Sequence, residues 1–407
     1  MKFLRTVSTR RLLVLSAAVV VAVGGGTAIA VAASSGGPVP PSKPLAKAVH
    51  DALVAPEVSG ISARVSFTNH LIDSSDIQGA NPILKGATGR LWLATSSNDH
   101  RLRLELQGDN GDAQAVFDNG SFWVYDPSSN TVYRGQLPKD QLPAHASKAR
   151  RATATLPTVA QIQSDLNRVA QHSNLSGALP GDVAGRPAYS VRVSPKHDGG
   201  LLGAASLAWD AVRGIPLRFG VYARGSSSPV LELKVTDISY GQVAASDFAV
   251  SPPSNAKVVD VSVPAGHTAA RAQTRKRGAD VGGVAAVAKR LSFTLLAPSK
   301  LVGLPRQSVR LLSWSGHPAA LVTYGQNLGG IAVIEQPADT KAKAPSTSSS
   351  GGERQGLNLP TVSINGVTGQ ELDTALGTAI RFTRAGVAYT VLGSVPPAAA
   401  EAAARQL

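Results

Sequence analysis

In Ile61-Ser62-Ala63-Arg64-Val65-Ser66-Phe67-Thr68 every odd position is apolar and every even position polar. Successive side chains of a strand point to opposite faces, so this alternation predicts a strand buried on one face and wet on the other. Arg101-Leu102-Arg103-Leu104-Glu105-Leu106-Gln107 repeats it, as do Tyr189 to Ser194, Leu217 to Val221 around Arg218, and Leu231-Glu232-Leu233-Lys234-Val235. Asn119-Gly120 predicts a type I′ hairpin joining Ala113–Asp118 to Ser121–Asp126, and Pro127-Ser128-Ser129-Asn130 turns the chain into Thr131–Arg134. Roughly ten such strands follow one another before residue 263.

Two helical stretches stand among them. Leu45 to Val54 is short, with Ser42 expected as its N-cap, and Thr158 to His172 sets Val159, Ile162, Leu166 and Val169 on one stripe, with Thr158 or Pro157 at its start. Many strands and few helices predict one large, strongly curved antiparallel sheet with helices over one face. Two helices cover about half of such a sheet. The remaining apolar surface needs a bound apolar ligand, a second sheet or closed barrel, or the C-terminal domain.

The hairpin from Phe117 to Pro138 carries Phe122, Trp123, Tyr125 and Tyr133 in a chain that is only 5% aromatic. Alternation puts Phe122 and Val124 on one side and Trp123 and Tyr125 on the other, so this strand needs cover on both. Trp123 and Tyr125 are the candidate contact surface, against the second domain or a membrane.

With 407 residues the chain predicts two domains. It contains no cysteine, which excludes disulfides, thiolate metal sites, a cysteine nucleophile and a lipid-modified cysteine. No nucleophile elbow, metalloprotease His-Glu pair, phosphate loop or dinucleotide fingerprint is present, and the eight histidines are isolated. Gly108 to Asp112 (GDNGD) lacks the length and closing glutamate of a calcium loop and reads as a polar turn. The expectation is therefore a protein without catalysis, metal or cofactor.

The net charge of +14 raises nucleic-acid binding. Four of these charges lie in the N-terminal segment, another cluster (Arg271, Arg275, Lys276, Arg277) lies in a linker, and the rest are scattered, so no nucleic acid is expected. Attraction to anionic headgroups is the better use of the surplus.

Lys2, Arg5, Arg10 and Arg11 precede an unbroken apolar run from Leu12 to Ala33. That length fits a membrane anchor better than a signal peptide, while Ala28-Ile29-Ala30 and Ala30-Val31-Ala32 offer cleavage sites for the alternative, a secreted envelope protein. Either way the positive-inside rule places the body outside the cytoplasm. The expected organisation is an anchor or signal over 1–33, a Pro/Gly/Ser stalk over 34–44, a sheet domain over 45–262, a basic linker over 263–283, and a small α+β domain over 284–407 with a disordered insert at 337–356.

Three phrases of the first domain resemble the lipoprotein-localisation (LolA) superfamily, with its RseB/MucB-like envelope-stress regulators and actinobacterial exported lipid carriers. They are Trp123-Val124-Tyr125-Asp126-Pro127 with Asn130-Thr131-Val132; Asp210 through Gly214-Ile215-Pro216-Leu217-Arg218; and Ser246-Asp247-Phe248 ahead of Pro252-Pro253. The resemblance spans roughly Leu45 to Val261. It implies an unclosed antiparallel β-barrel with a helical lid over a hydrophobic cavity that takes acyl chains. The implied fold class is thus α+β and mainly antiparallel β, and the implied partner a lipid or acylated lipoprotein. The cavity candidates are Ile61, Ala63, Val65, Phe67, Leu102, Leu104, Leu106, Leu217, Phe219, Leu231 and Leu233, each of which serves equally as plain core. The alternative the resemblance carries is a regulator acting on a membrane protein such as an anti-sigma factor.

Overall fold

Alternation becomes sheet here on a large scale. The computed structural model describes residues 37–72, 86–95, 99–108, 111–137, 156–262, 281–314, 317–338 and 359–407. The apolar run Leu12 to Ala33, most of the 263–283 linker and 337–356 insert, and the middle of Gly108–Asp112 lie outside these residues. Among the described residues no helix is long and apolar enough to cross a membrane.

The chain divides into two units, the second comprising Leu71–Gln78, His197–Leu202 and Ala269–Leu407. The first opens with helix α1 (Leu45–Val54), then β1 (Gly60–Asn69), β2 (Gly86–Ala94), β3 (Arg101–Gln107), β4 (Ala113–Asp118), β5 (Ser121–Asp126) and β6 (Thr131–Gln136). Helix α2 (Val159–His172) leads into β7 (Ser173–Leu175), β8 (Leu179–Val183), β9 (Arg186–Pro195), β10 (Leu202–Asp210), β11 (Pro216–Ala223), β12 (Pro229–Tyr240) and β13 (Lys257–Ser262). These strands form one sheet in the order β13-β6-β5-β4-β3-β2-β1-β12-β11-β10-β9-β7, with β8 also on β9. The end strands β13 and β7 are not neighbours, so the sheet stays open.

Curvature is visible in its contacts. β9 and β12 are separated by two strands, which in a flat sheet sets them about 14 Å apart. Yet the Arg186 guanidinium lies 4.9 Å from the Tyr240 ring centroid and donates to the Ile238 carbonyl at 2.9 Å. Val183 and Ala184 likewise join the cluster of Ile61, Ala63, Val65, Leu217 and Ile238. Among the described residues the unit is an antiparallel half-barrel with two helices, in which the pair β13–β6 runs parallel.

Local chemistry explains the turns and caps. Asn119 and Gly120 both take positive φ, +45° and +121°, as the predicted two-residue hairpin requires. Helix α2 starts in a capping box, with Thr158 Oγ1 accepting from Gln161 N and Gln161 Oε1 accepting from Thr158 N. Helix α1 differs from expectation: Pro44 is its N-cap, no side chain caps it, and Ser42 plays no such part. Proline's fixed φ suits a helix entry without a side-chain acceptor.

The second unit holds α3 (Val284–Ala288), β14 (Lys300–Leu301), β15 (Leu304–Trp314), β16 (His317–Tyr324), β17 (Ile331–Pro337), β18 (Thr361–Ile364), β19 (Val367–Thr374), β20 (Gly377–Arg384), β21 (Val387–Gly393) and α4 (Pro397–Arg405). Its strands form a second antiparallel sheet, ordered β14-β15-β16-β17-β21-β20-β19-β18. One face of that sheet packs Val322, Val333, Val391, Ile380 and Phe382 against Ala400, Ala403 and Ala404 of α4. Small alanines let the helix lie close to the strands.

Candidate functional site

Strand register assembles the site. Reading across paired residues, Ala63 faces Leu91, Leu91 faces Leu104, Leu104 faces Ala115, Ala115 faces Val124 and Val124 faces Tyr133. The neighbouring row runs Ile61, Leu93, Leu102, Phe117 and Phe122. On the other side Val65 faces Val235, Phe67 faces Leu233, and Leu233 faces Phe219. Paired residues share a face, so all eleven cavity candidates of the first domain lie on one continuous inner surface.

Burial divides that surface. Helix α1 sets Ala48 against Tyr189, Val191, Leu207 and Trp209, filling the end made by β9 and β10. Leu217 is 1% exposed, and Ile61, Ala63 and Val65 are buried with it, so these four are packed core. Phe67, Leu102, Leu104, Leu106, Phe219 and Leu231 are half-buried. Leu233 is 49% exposed, Val124 42% and Tyr133 40%. The inner face is thus closed under α1 and open toward β4, β5, β6 and β12.

Sequence reading missed Leu91, Leu93, Ala115, Phe117, Val124 and Tyr133 as members of this face. The signal was the register: once Leu104 is taken as inward, its directly paired residues on the neighbouring strands must point the same way.

The lid is fixed at three points. Residues 37–44 run back along the first unit, with the Tyr189 hydroxyl donating to the Pro41 carbonyl at 2.5 Å and Lys43 Nζ 5.2 Å above the Tyr189 ring. Asp51 of α1 accepts from Lys43 at 2.8 Å and Lys47 at 2.7 Å. Those two hydrogen bonds, Lys43 first, pull its carboxyl down to about 2. Gly214 supplies the third point. Its φ is +66°, and a Cβ there would come 2.2 Å from the Ala52 carbonyl oxygen, so only glycine lets the β10–β11 corner touch the last turn of α1.

Asp210 builds that corner. It is buried, and its Oδ1 accepts from the amides of Val212 at 2.8 Å and Arg213 at 2.9 Å while Oδ2 accepts from the Tyr240 hydroxyl at 2.8 Å. The Asp210 phrase is therefore a structural corner.

The outer face is covered by the chain's own return. Trp92 and Ala94 pack with Val243 and Phe248. Arg103 stacks 4.7 Å from the Trp92 ring and donates to the Asp247 carbonyl at 2.7 Å, while Arg101 lies 4.5 Å from the Phe248 ring and pairs with Asp99. β13 then continues the sheet in parallel with β6. Trp123 and Tyr125 sit on this outer side and are half-buried, beside buried Val116 and Val132. The exposed apolar groups of the hairpin are Val124 and Tyr133, on the opposite side.

Among the described residues no three His, Asp or Glu side chains gather into a metal-binding group. The inner face offers aliphatic and aromatic carbon, suited to excluding water from an apolar ligand.

No family model and no curated protein matches the chain. Solved structures do show likeness. MucB in complex with MucA(peri) aligns over 88% of this chain and 94% of its own at 15% identity, with a TM-score of 0.39. The Pseudomonas aeruginosa MucA/MucB complex aligns over 88% and 94% at 16% identity and a TM-score of 0.38. A putative outer membrane lipoprotein-sorting protein domain from Vibrio parahaemolyticus aligns over 50% of this chain and 95% of its own at 9% identity, with a TM-score of 0.21. The residue assignments above rest on register and burial in this chain alone.

Proposed function

We propose that the chain is a non-catalytic, extracytoplasmic binding protein of the cell envelope that takes acyl chains of a lipid or lipoprotein on the inner face of its half-barrel. The observation that carries this reading is the open stretch of that face, where Leu233, Val124 and Tyr133 stay 40–49% exposed within rows of cross-strand apolar partners. An acyl chain laid along those rows gains about 0.8 kcal/mol for each methylene it buries. Around ten methylenes then offset much of the cost of leaving a bilayer. α1 bounds the site at one end, so ligand enters from the β4–β6 side.

Mass spectrometry of lipids that stay with the purified chain tests the proposal. Bound lipid is expected, and Leu104→Arg or Leu233→Arg lowers occupancy about tenfold by placing a charge among the methylenes. Leu233→Arg is the cleaner variant because the side chain is already half exposed. If the wild-type chain carries no lipid, and added lipid moves neither its melting temperature nor its tryptophan emission, the reading fails.

A further inference from the structure

The second unit buries a carboxyl group that its packing does not explain. Glu335 lies on β17 opposite Ala320 of β16 and Tyr389 of β21, on the same face as Val322, Tyr324, Val333, Val391 and Phe382. Its exposure is 0%. Oε2 accepts from the Leu296 amide at 2.9 Å, whereas Oε1 has no partner among the described residues, nor does the buried hydroxyl of Tyr324.

Among the described residues no cation pairs with this carboxyl. Arg306 of β15 is the basic group closest in influence to Tyr324, and it is engaged with the Ala297 carbonyl. Arg384 of β20 acts on Tyr389 and donates to the Leu407 carbonyl. α4 contributes Glu401 and Arg405, which pair with each other. The remaining titratable neighbours are the hydroxyls of Tyr324 and Tyr389, both of which feel the Glu335 charge.

What Glu335 does hold is a strap. Residues 289–299 connect α3 to β14 outside any helix or strand, and Leu291, Phe293, Leu295, Leu296 and Ala297 pack over the apolar face. Two side chains pin this strap to the sheet, Glu335 at the Leu296 amide and Arg306 at the Ala297 carbonyl.

We propose that Glu335 makes the strap a proton-controlled clasp, shut while the carboxyl is protonated and released when it ionises and draws water. Desolvation moves the group from its ordinary value near 4.5 up to about 7, and the Leu296 amide opposes this without overcoming it. A carboxyl raised in the closed state binds its proton more tightly there than in the open state. Closure is therefore fully favoured below about 4.5, weakens as pH rises, and levels off above about 7. Each pH unit within that window multiplies the open population by about ten. Release bares part of the apolar face beneath.

Hydrogen exchange of the full chain tests the clasp, reading peptides from 289–299 at pH 5 and pH 7.5 after correction for intrinsic rates. Protection is expected to fall about a hundredfold across two units of the window, while β1 peptides keep theirs. Glu335→Gln copies the protonated form and is expected to hold its protection at both values; Glu335→Met, which lacks the acceptor for the Leu296 amide and carries no charge, is expected to show lower protection that does not change with pH, and serves if the amide variant does not fold. Equal wild-type protection at the two pH values overturns the proposal, as does the same fall in either variant.

Discussion

Asp210→Ala removes the corner that seats the lid helix, and its cost follows from three hydrogen bonds. Bonds to a charged acceptor contribute roughly 1.5–3 kcal/mol each, less where the abandoned donor meets water. In the variant the Val212 and Arg213 amides sit at a surface turn, so their loss is partly recovered, whereas the Tyr240 hydroxyl is left in a half-buried place. Together these terms predict a loss of about 3–4 kcal/mol. Burial first and the Asp210 carboxylate second hold the Tyr240 hydroxyl far above its ordinary pKa, so it is a donor at every working pH. Tyr240→Phe deletes that bond alone and predicts about 1.5–2 kcal/mol. The double variant is expected to match Asp210→Ala nearly, a coupling of about 1.5 kcal/mol. Urea unfolding read by tryptophan emission gives these values, since Trp209 is buried next to Asp210. Hydrogen exchange of β10–β11 peptides assigns the transition to the first unit. Full additivity, or a Tyr240→Phe cost below about 0.5 kcal/mol, refutes the corner as described.

Gly214→Ala forces a Cβ onto the Ala52 carbonyl at a positive φ, so a loss of about 2–3 kcal/mol is expected, with exchange protection lost in α1 before β1. Lys43→Ala breaks one of two partly exposed bonds to Asp51, and urea titration is expected to show under about 1 kcal/mol. Because the Asp51 carboxyl is depressed, that small contribution is present above about pH 4 and lost as pH falls toward 2, so wild type and Lys43→Ala converge in acid.

Much of this was readable from residue order. The odd positions of Ile61 to Phe67 and the even positions of Leu102 to Leu106 name the inner face, because a strand's pleat permits no other assignment once one side is buried. Thr158 with Gln161 announces the start of α2, since a side-chain acceptor must meet a free amide three residues on. The Ser42 cap failed where proline geometry took over from side-chain chemistry. Glu335 was also legible in part: Ile331, Val333 and Glu335 alternate on one side of a strand, which puts a carboxyl where only carbon belongs.

Sequence alone thus determined which side chains share a face and where strands reverse. Tertiary structure decided which members of a face are core and which stay open. Leu217 and Leu233 have the same chemistry and the same alternation, yet one is 1% exposed and the other 49%. The difference lies in what crosses over them: the curled β8–β9 turn, through Val183 and Ala184, reaches the first, and no helix among the described residues packs over the second. Alternation is a property of neighbouring residues, whereas burial depends on segments far away in the chain, such as the Val243–Phe248 return that closes the outer side over Trp92.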